Sequence, residues 1–288
     1  MSSADVIGPN RLLRRIVPRV VRNWLRSPSQ SLAWTWDELN HIVGRDPVIS
    51  LRPGWSVRAH PAARLTFGIA LREPDQIAEL DAFIASCRPG MVLFDIGAHF
   101  GLFSFAALHY GGPTARAVAV EASKGAARVL RLHARLNQVT DRLDAIHAAA
   151  AEQPGWRNML PVGVIANGYY LEPDAGRPAR DLVRVRAVTV DSLVDELGKV
   201  PTHLKIDVEG TEAGVLQGAH RTLAGDRPPW VFLELHNAIC RRAGQDPAVC
   251  LAILTQLGYT LQTSEGQPLS AADATEPPLI RLVARRPT

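Results

Sequence analysis

Apolar runs of five to seven residues recur along the chain from residue 91 onward, at Met91–Gly97, Ala117–Glu121, Ala145–Ala149, Thr202–Val208 and Pro229–Leu235. Short runs bounded by turn residues predict buried strands. Between them, apolar positions recur every three or four residues, predicting helices at about Gly101–Tyr110, Lys124–Asn137, Thr211–Leu223 and Asp246–Leu257. Two late strands, Tyr259–Thr263 and Leu279–Arg285, are joined by a Gly/Pro-rich loop, which predicts an antiparallel pair. Alternating strands and helices with right-handed crossovers imply an α/β fold, a doubly wound and mostly parallel sheet.

The pattern differs at both flanks of this rhythm. In residues 11–25, Leu12/Leu13, Ile16/Val17, Val20/Val21 and Trp24/Leu25 fall four apart, one apolar stripe with arginines beside it, and Pro18 should kink it. Residues 48–71 read as short strands broken by Pro and Gly. Asp75–Cys87 reads as a helix with Ile77, Leu80, Phe83 and Ile84 on one face. The chain thus divides into an N-terminal extension, 1–89, and a main domain, 90–288. Inside the domain, Trp156–Ala187 is rich in Gly and Pro and ends in alternating Val and Arg. It predicts an inserted hairpin or lid with Tyr169 and Tyr170 near its tip.

With 288 residues and 47% apolar content, the chain can bury one full core. The net charge of +4 conceals an asymmetry. Residues 1–72 carry 11 Arg against 4 acids, whereas residues 73–288 carry 21 basic against 24 acidic side chains. The domain therefore offers no track for nucleic acid. The basic stripe over 11–26 leaves open a peripheral membrane contact, docking on the chain's own body, or a second subunit in a homo-oligomer. Cys87, Cys240 and Cys250 are too few and scattered for a disulfide framework or zinc site, and no apolar run resembles a secretory signal. Both point to a cytoplasmic protein. Ile96–Ala115 is uncharged and nearly long enough to span a bilayer, but it starts at a glycine turn and contains two histidines, so a buried strand–turn–helix fits better.

Candidate chemistry gathers at strand ends. Asp95, Gly97, Ala98, His99 and Gly101 lie where the first strand becomes a helix; two glycines permit a tight turn, and a helix N-terminus offers free N–H donors. His99 occupies the place of the second glycine of a dinucleotide fingerprint. Glu121 ends the next strand, where an acid can accept both hydroxyls of a ribose, and Glu152 follows the third, within reach of an adenine amino group. In the fourth strand Lys205, Asp207 and Glu209 alternate with Leu204, Ile206 and Val208, so three ionisable groups share a face that is normally apolar. Asp207 and Glu209 should lie about 6–7 Å apart. Glu234 and His236 repeat the arrangement in the fifth strand. If the two strands are neighbours, all four groups meet at the carboxyl edge, where open α/β sheets bind ligands. Lys205, one of three lysines among 29 arginines, could pair with Asp207 and hold it ionised. Carboxylates and one histidine could also hold a divalent metal, though nothing in the spacing requires one.

The combination FDIGAHFGLFSFAAL, VAVEAS, VTVDSLVDEL, LKIDVEGTEAGVLQGAH and FLELH resembles the FkbM-type S-adenosylmethionine-dependent methyltransferases over about residues 90–236. The Lys205–Ala219 block is its most specific element. The resemblance implies a Rossmann-like sheet of seven strands with the last antiparallel, and S-adenosylmethionine across the carboxyl ends of the first two. Asp95, Gly97 and Gly101 would frame the methionine end, Glu121 the ribose and Glu152 the adenine. The family usually has Asn at the position of His99 and often Pro at that of Ala122. The implied activity is methyl transfer to a hydroxyl of a sugar, glycan or secondary metabolite. A base would take its proton, with Asp207 first in order, then His236, then Glu209. A non-catalytic binding protein and a nicotinamide-dependent oxidoreductase on a similar fold are the alternatives.

Overall fold

The computed structural model of the protein describes residues 28–159 and 182–286. The helix expected over 11–26 and the tip of the 156–187 segment, with Tyr169 and Tyr170, lie outside the described residues. The described chain opens with a helix, Pro28–Ile42, then a hairpin of β1 (Val48–Arg52) and β2 (Trp55–Arg58). Helices Ala63–Ile69 and Pro74–Ser86 lead into the central sheet. There β3 (Val92–Ile96), β4 (Arg116–Glu121) and β5 (Leu143–His147) alternate with helices Leu102–Tyr110 and Lys124–Leu136. A short β6 (Ala149–Ala150) and the antiparallel pair β7 (Gly155–Met159) and β8 (Val183–Val188) form a separate three-stranded sheet at the base of the insertion. Beyond it come β9 (His203–Ile206), β10 (Trp230–Leu235), β11 (Thr260–Thr263) and β12 (Ile280–Arg285).

The seven-stranded sheet has the order β11-β12-β10-β9-β3-β4-β5. β3, β4, β5, β9 and β10 pair in parallel, and β12 runs against both β10 and β11. This is a Rossmann-like mixed sheet with one reversed strand. The order reverses between β3 and β9, so the crevice at their carboxyl ends is the expected ligand site.

The strand registers separate two faces. Phe94, Ile96, Val118, Val120, Leu204, Ile206, Val231, Leu233 and Leu235 build a wholly apolar core on one side. On the other, Leu93, Ala117, Ala119 and Phe232 pack with Phe67, Leu80, Phe83, Phe100 and Phe105. The residues between 48 and 89 therefore share the core of the main sheet: Trp55, Phe67 and Phe83 are buried in it. Asp95 stands opposite Lys205 in register, and Glu234 opposite Arg281, so this second face turns from apolar to ionic toward its carboxyl end.

Several elements differ from the sequence expectation. Residues 63–69 are helical rather than stranded, because Ala63 and Phe67, one turn apart, both bury. The helix expected over 211–223 is two, Glu212–Gln217 and His220–Ala224, broken at Gly218 where the backbone has little helical preference. Val190–Leu197 is a further helix, started by a reciprocal cap between Thr189 and Ser192. β9 stops at Ile206, two residues early, since the chain turns at Glu209 and Gly210, with φ of 53° and 104°.

The first helix is tied to the body by polar contacts. Trp34 stacks on buried His60 at 5.2 Å, and Glu38 bonds Arg128 and lies 3.6 Å from His60 Nε2. The backbone N–H of His60 donates to His133 Nε2 at 2.9 Å, which fixes the His133 proton on Nδ1, donating to the Phe100 carbonyl at 3.0 Å. His60 and His133 thus join the N-terminal layer to the glycine turn after β3.

Candidate active site

A cavity of about 390 Å³ opens at the carboxyl ends of β3, β4, β9 and β10. The turn after β3 forms one wall. Gly97 N–H and Ala98 N–H both donate to the Val120 carbonyl, at 2.9 and 3.1 Å, folding the chain back over β4. Gly97 has φ of 83°, and a Cβ there would lie 1.7 Å from the carbonyl oxygen of Asp207. Its lack of a side chain lets the β3 turn pass the end of β9. Gly101, at φ 90°, faces Leu130 and Phe105 in the core and is not part of the cavity wall, contrary to its expected place beside a ligand. Asp95 lines the cavity but is buried, and its Oδ2 takes both the N–H and hydroxyl of Ser104, holding the start of helix Leu102–Tyr110. Burial pushes its carboxyl above the ordinary value, partly offset by Ser104.

Glu121 is the most constrained acid of this wall. One oxygen accepts from His99 N–H at 2.8 Å and the other from Ser123 N–H at 2.6 Å. Burial nonetheless raises its pKa to about 7. Each carboxylate oxygen retains a lone pair that a ligand hydroxyl can use. His99 lies flat on Phe100, ring centroids 3.9 Å apart, and its Nε2 is buried without a hydrogen-bond partner. Burial lowers its pKa to about 4, so the ring is neutral. Glu152 is exposed and lies outside the cavity wall, which on that side is made by Ala148, Ala149, Ala150 and Met159.

The opposite wall joins β9 and β10, which are parallel neighbours as the sequence argument required. His236 is its centre. Its Nδ1 is 2.8 Å from Glu212 Oε1, and its Nε2 is 3.8 Å from both Asp207 and Glu234. Glu212 is fully buried and also accepts from Gly210 N–H at 2.9 Å. Burial disfavours the imidazolium, but Glu212, Asp207 and Glu234 outweigh it and raise the His236 pKa. Asp207 is 38% exposed toward the cavity, yet burial and Glu234 push its carboxyl well above the usual range. Glu209 is raised by burial and lines the same wall.

Beneath this wall lies a buried ionic cluster. Lys205 Nζ is 2.8 Å from Glu79, 3.6 Å from Glu234 and 4.9 Å from the centre of the Phe103 ring. Arg281 bonds Glu234 at 2.5 Å and lies 3.4 Å from Glu79. Burial alone would lower the Lys205 pKa; Glu79, Asp207 and Glu234 raise it above the ordinary value. Glu234 is likewise burdened by burial but held below its usual value by Lys205 and Arg281. Lys205 favours the charged form of Asp207, as expected, but its near partners are Glu79 and Glu234, and burial and Glu234 outweigh it, so the Asp207 carboxyl is raised overall.

Glu212, Glu79 and Arg281 escape a reading of the sequence alone. Glu212 stands in the T-E of the Lys205–Ala219 block, and a carboxylate opening a helix next to a strand-end acid is the signal that could have found it. Glu79 sits on a helix more than a hundred residues from Lys205, and only the fold joins them. Asp207, Glu234 and His236 each bring one potential ligand atom within 4.8 Å of the others. Glu234 already has two protein cations, and His236 Nδ1 is committed to Glu212.

A family model described as the methyltransferase FkbM domain matches residues 95–261. Among solved structures, the chain is similar to a methyltransferase FkbM from Methylobacillus flagellatus KT, at 16% identity and a TM-score of 0.46, over 78% of this chain. The chain spans 55% of the length of that protein. It is also similar to a TehB-like SAM-dependent methyltransferase from Corynebacterium glutamicum ATCC 13032 Kitasato, at 12% identity and a TM-score of 0.42, over 77% of this chain and 93% of that one. A third structure, cofactor-bound Rv0187 from MTB, is 14% identical with a TM-score of 0.41, over 93% and 97% of the two chains. No curated protein matches the chain.

Proposed function

The chain belongs to the FkbM methyltransferase family, and from that premise we propose that it carries a methyl group from S-adenosylmethionine to a hydroxyl of a small molecule or glycan, with His236 as the base. The observation that carries the reading is the Glu212–His236 pair at the cavity wall facing the Gly97 turn.

The residues present suit the cofactor. A cavity of about 390 Å³ falls within the usual range for small-molecule sites. Glu121 is held rigid by two backbone N–H groups with acceptor capacity left for a diol. His99 Nε2 is a buried polar atom without a protein partner. When bound, S-adenosylmethionine would supply an electrophilic methyl on a sulfonium for the acceptor oxygen, with S-adenosylhomocysteine as the leaving group.

The chain's own work is alignment and proton removal. His236 Nε2 takes the acceptor's hydroxyl proton as the new carbon–oxygen bond forms. Glu212 accepts from Nδ1–H, which fixes the tautomer with the free lone pair on Nε2 and stabilises the imidazolium that results. The sequence favours Asp207; it stands 3.8 Å from His236 Nε2, placed to hydrogen-bond the acceptor hydroxyl beside the ring, whereas His236 has Glu212 behind it to stabilise the charge it gains. Glu212, Asp207 and Glu234 outweigh burial and raise the His236 pKa, which makes the neutral ring a stronger base.

Calorimetry with S-adenosylmethionine, S-adenosylhomocysteine and NAD, followed by a methyl-transfer screen of hydroxylated acceptors, tests the reading. Binding of the first two but not NAD is expected. In the screen, His236→Gln should lose about 10²–10⁴-fold in turnover while keeping cofactor affinity. No binding of S-adenosylmethionine to folded protein would end the proposal.

A further inference from the structure

The helix Pro28–Ile42 faces the body with one side, and among the described residues nothing covers the other. Trp34, Glu38 and His41 point inward, toward His60, Arg128 and Asp46. At about 100° per residue, Leu32, Trp36 and Leu39 fall together on the opposite side, and Val43 continues the line just past the helix end. These four are 50–63% exposed, and Ile42 at the edge of the stripe is 74% exposed. Soluble surfaces scatter such residues singly; here they form one continuous ridge containing a tryptophan.

Charge points to the occupant. The two acids of the helix, Asp37 and Glu38, lie off the apolar side, at about 140° and 120° from Leu32 in opposite directions. Glu38 is already engaged by Arg128. The ridge thus offers no counter-charge of its own. Directly ahead of it in sequence stand Arg11, Arg14, Arg15, Arg19, Arg22 and Arg26, with Asp5 the only acid in residues 1–27. An apolar ridge that six arginines precede in sequence suits a partner that is both apolar and anionic.

We propose that the 28–43 ridge seats the protein on an anionic lipid bilayer, the anionic character following from the arginines that precede the ridge in sequence. Leu32, Trp36, Leu39 and Val43 enter the interfacial layer, where tryptophan is favoured, and the basic charge of the preceding sequence adds attraction to anionic lipid. The proposal does not depend on the methyltransferase reading. Among the described residues no helix is long and apolar enough to cross a membrane, which is compatible with a contact that lies on the surface.

Flotation of the full chain with phosphatidylglycerol-containing and pure phosphatidylcholine vesicles tests it. Binding only to the anionic vesicles, weakened by added salt, is expected. A Trp36→Ser/Leu39→Ser variant, altered only at exposed positions, should bind at least about tenfold more weakly with an unchanged circular dichroism spectrum. Each of Arg14→Gln and Arg22→Gln should weaken binding about fivefold. No flotation with anionic vesicles, or flotation indifferent to the double variant, overturns the proposal. So does a dimer in lipid-free buffer that the double variant dissociates, which would assign the ridge to a second copy of the chain.

Discussion

The ionisation of Glu121 should govern cofactor affinity in the physiological range. Burial raises its pKa to about 7, against an ordinary 4.5, although His99 N–H and Ser123 N–H already favour the charged form. In the free protein, then, the carboxyl is about 9% ionised at pH 6 and about 91% ionised at pH 8. Hydroxyl donors from a ribose interact better with the carboxylate than with the acid, so the bound state has a lower Glu121 pKa. Protons must leave on binding wherever the free carboxyl still holds them, and affinity must rise with pH. If binding returns the pKa to its ordinary value, the dissociation constant for S-adenosylmethionine falls about tenfold from pH 6 to pH 8, or about 1.4 kcal/mol. About half a proton should be released per cofactor at pH 7. Calorimetry in buffers of differing ionisation enthalpy measures both quantities, and Glu121→Gln should abolish both while leaving a weak, pH-independent affinity. A dissociation constant that stays flat across this range, with no proton release by the unaltered protein, would refute the reasoning.

Three further outcomes follow from the same geometry. Gly97→Ala would place a methyl 1.7 Å from the Asp207 carbonyl oxygen and should cost at least about 3 kcal/mol in urea unfolding. Gly112→Ala, at a positive φ but with open space around it, should cost only about 1 kcal/mol. Lys205→Met leaves buried Glu79 and Glu234 to share Arg281 and should lower stability by about 3–5 kcal/mol, part of it recovered by adding Glu79→Gln; a loss under about 1 kcal/mol would contradict the buried cluster. His133 has a pKa lowered to about 4 by burial, so below pH 6.5 the unfolded chain binds a proton that the folded one refuses. Stability then falls by about 1.4 kcal/mol per pH unit from this residue until pH 4. In His133→Gln, urea unfolding measured at successive pH values should show that slope removed, and an unchanged slope would show that His133 carries no such linkage.

Much of this arrangement is written in local order along the chain. The period-two and period-four patterns locate the strands and helices of the sheet, because each element buries only one side or stripe and the residues record which. The alternation of Lys205, Asp207 and Glu209 with apolar neighbours marks an ionic face, and the expectation that Asp207, Glu234 and His236 meet at one edge follows from that pattern once the strands are adjacent. The roles within that edge are another matter. Whether Asp207 is charged depends on burial and on Glu234, and what holds His236 is Glu212, reached from the helix that follows β9. Lys205 looks from the sequence like a partner for Asp207 but is claimed by Glu79, more than a hundred residues earlier. Sequence spacing reports which side of an element a residue occupies. It carries no record of what another element brings against that side, and at a few ångströms in a poorly screened interior that neighbour decides both pKa and partner. The glycine turn shows the same division: its two glycines are visible from the sequence as a tight turn, but only packing reveals that Gly97 makes room for the backbone of β9's end and Gly101 for Leu130.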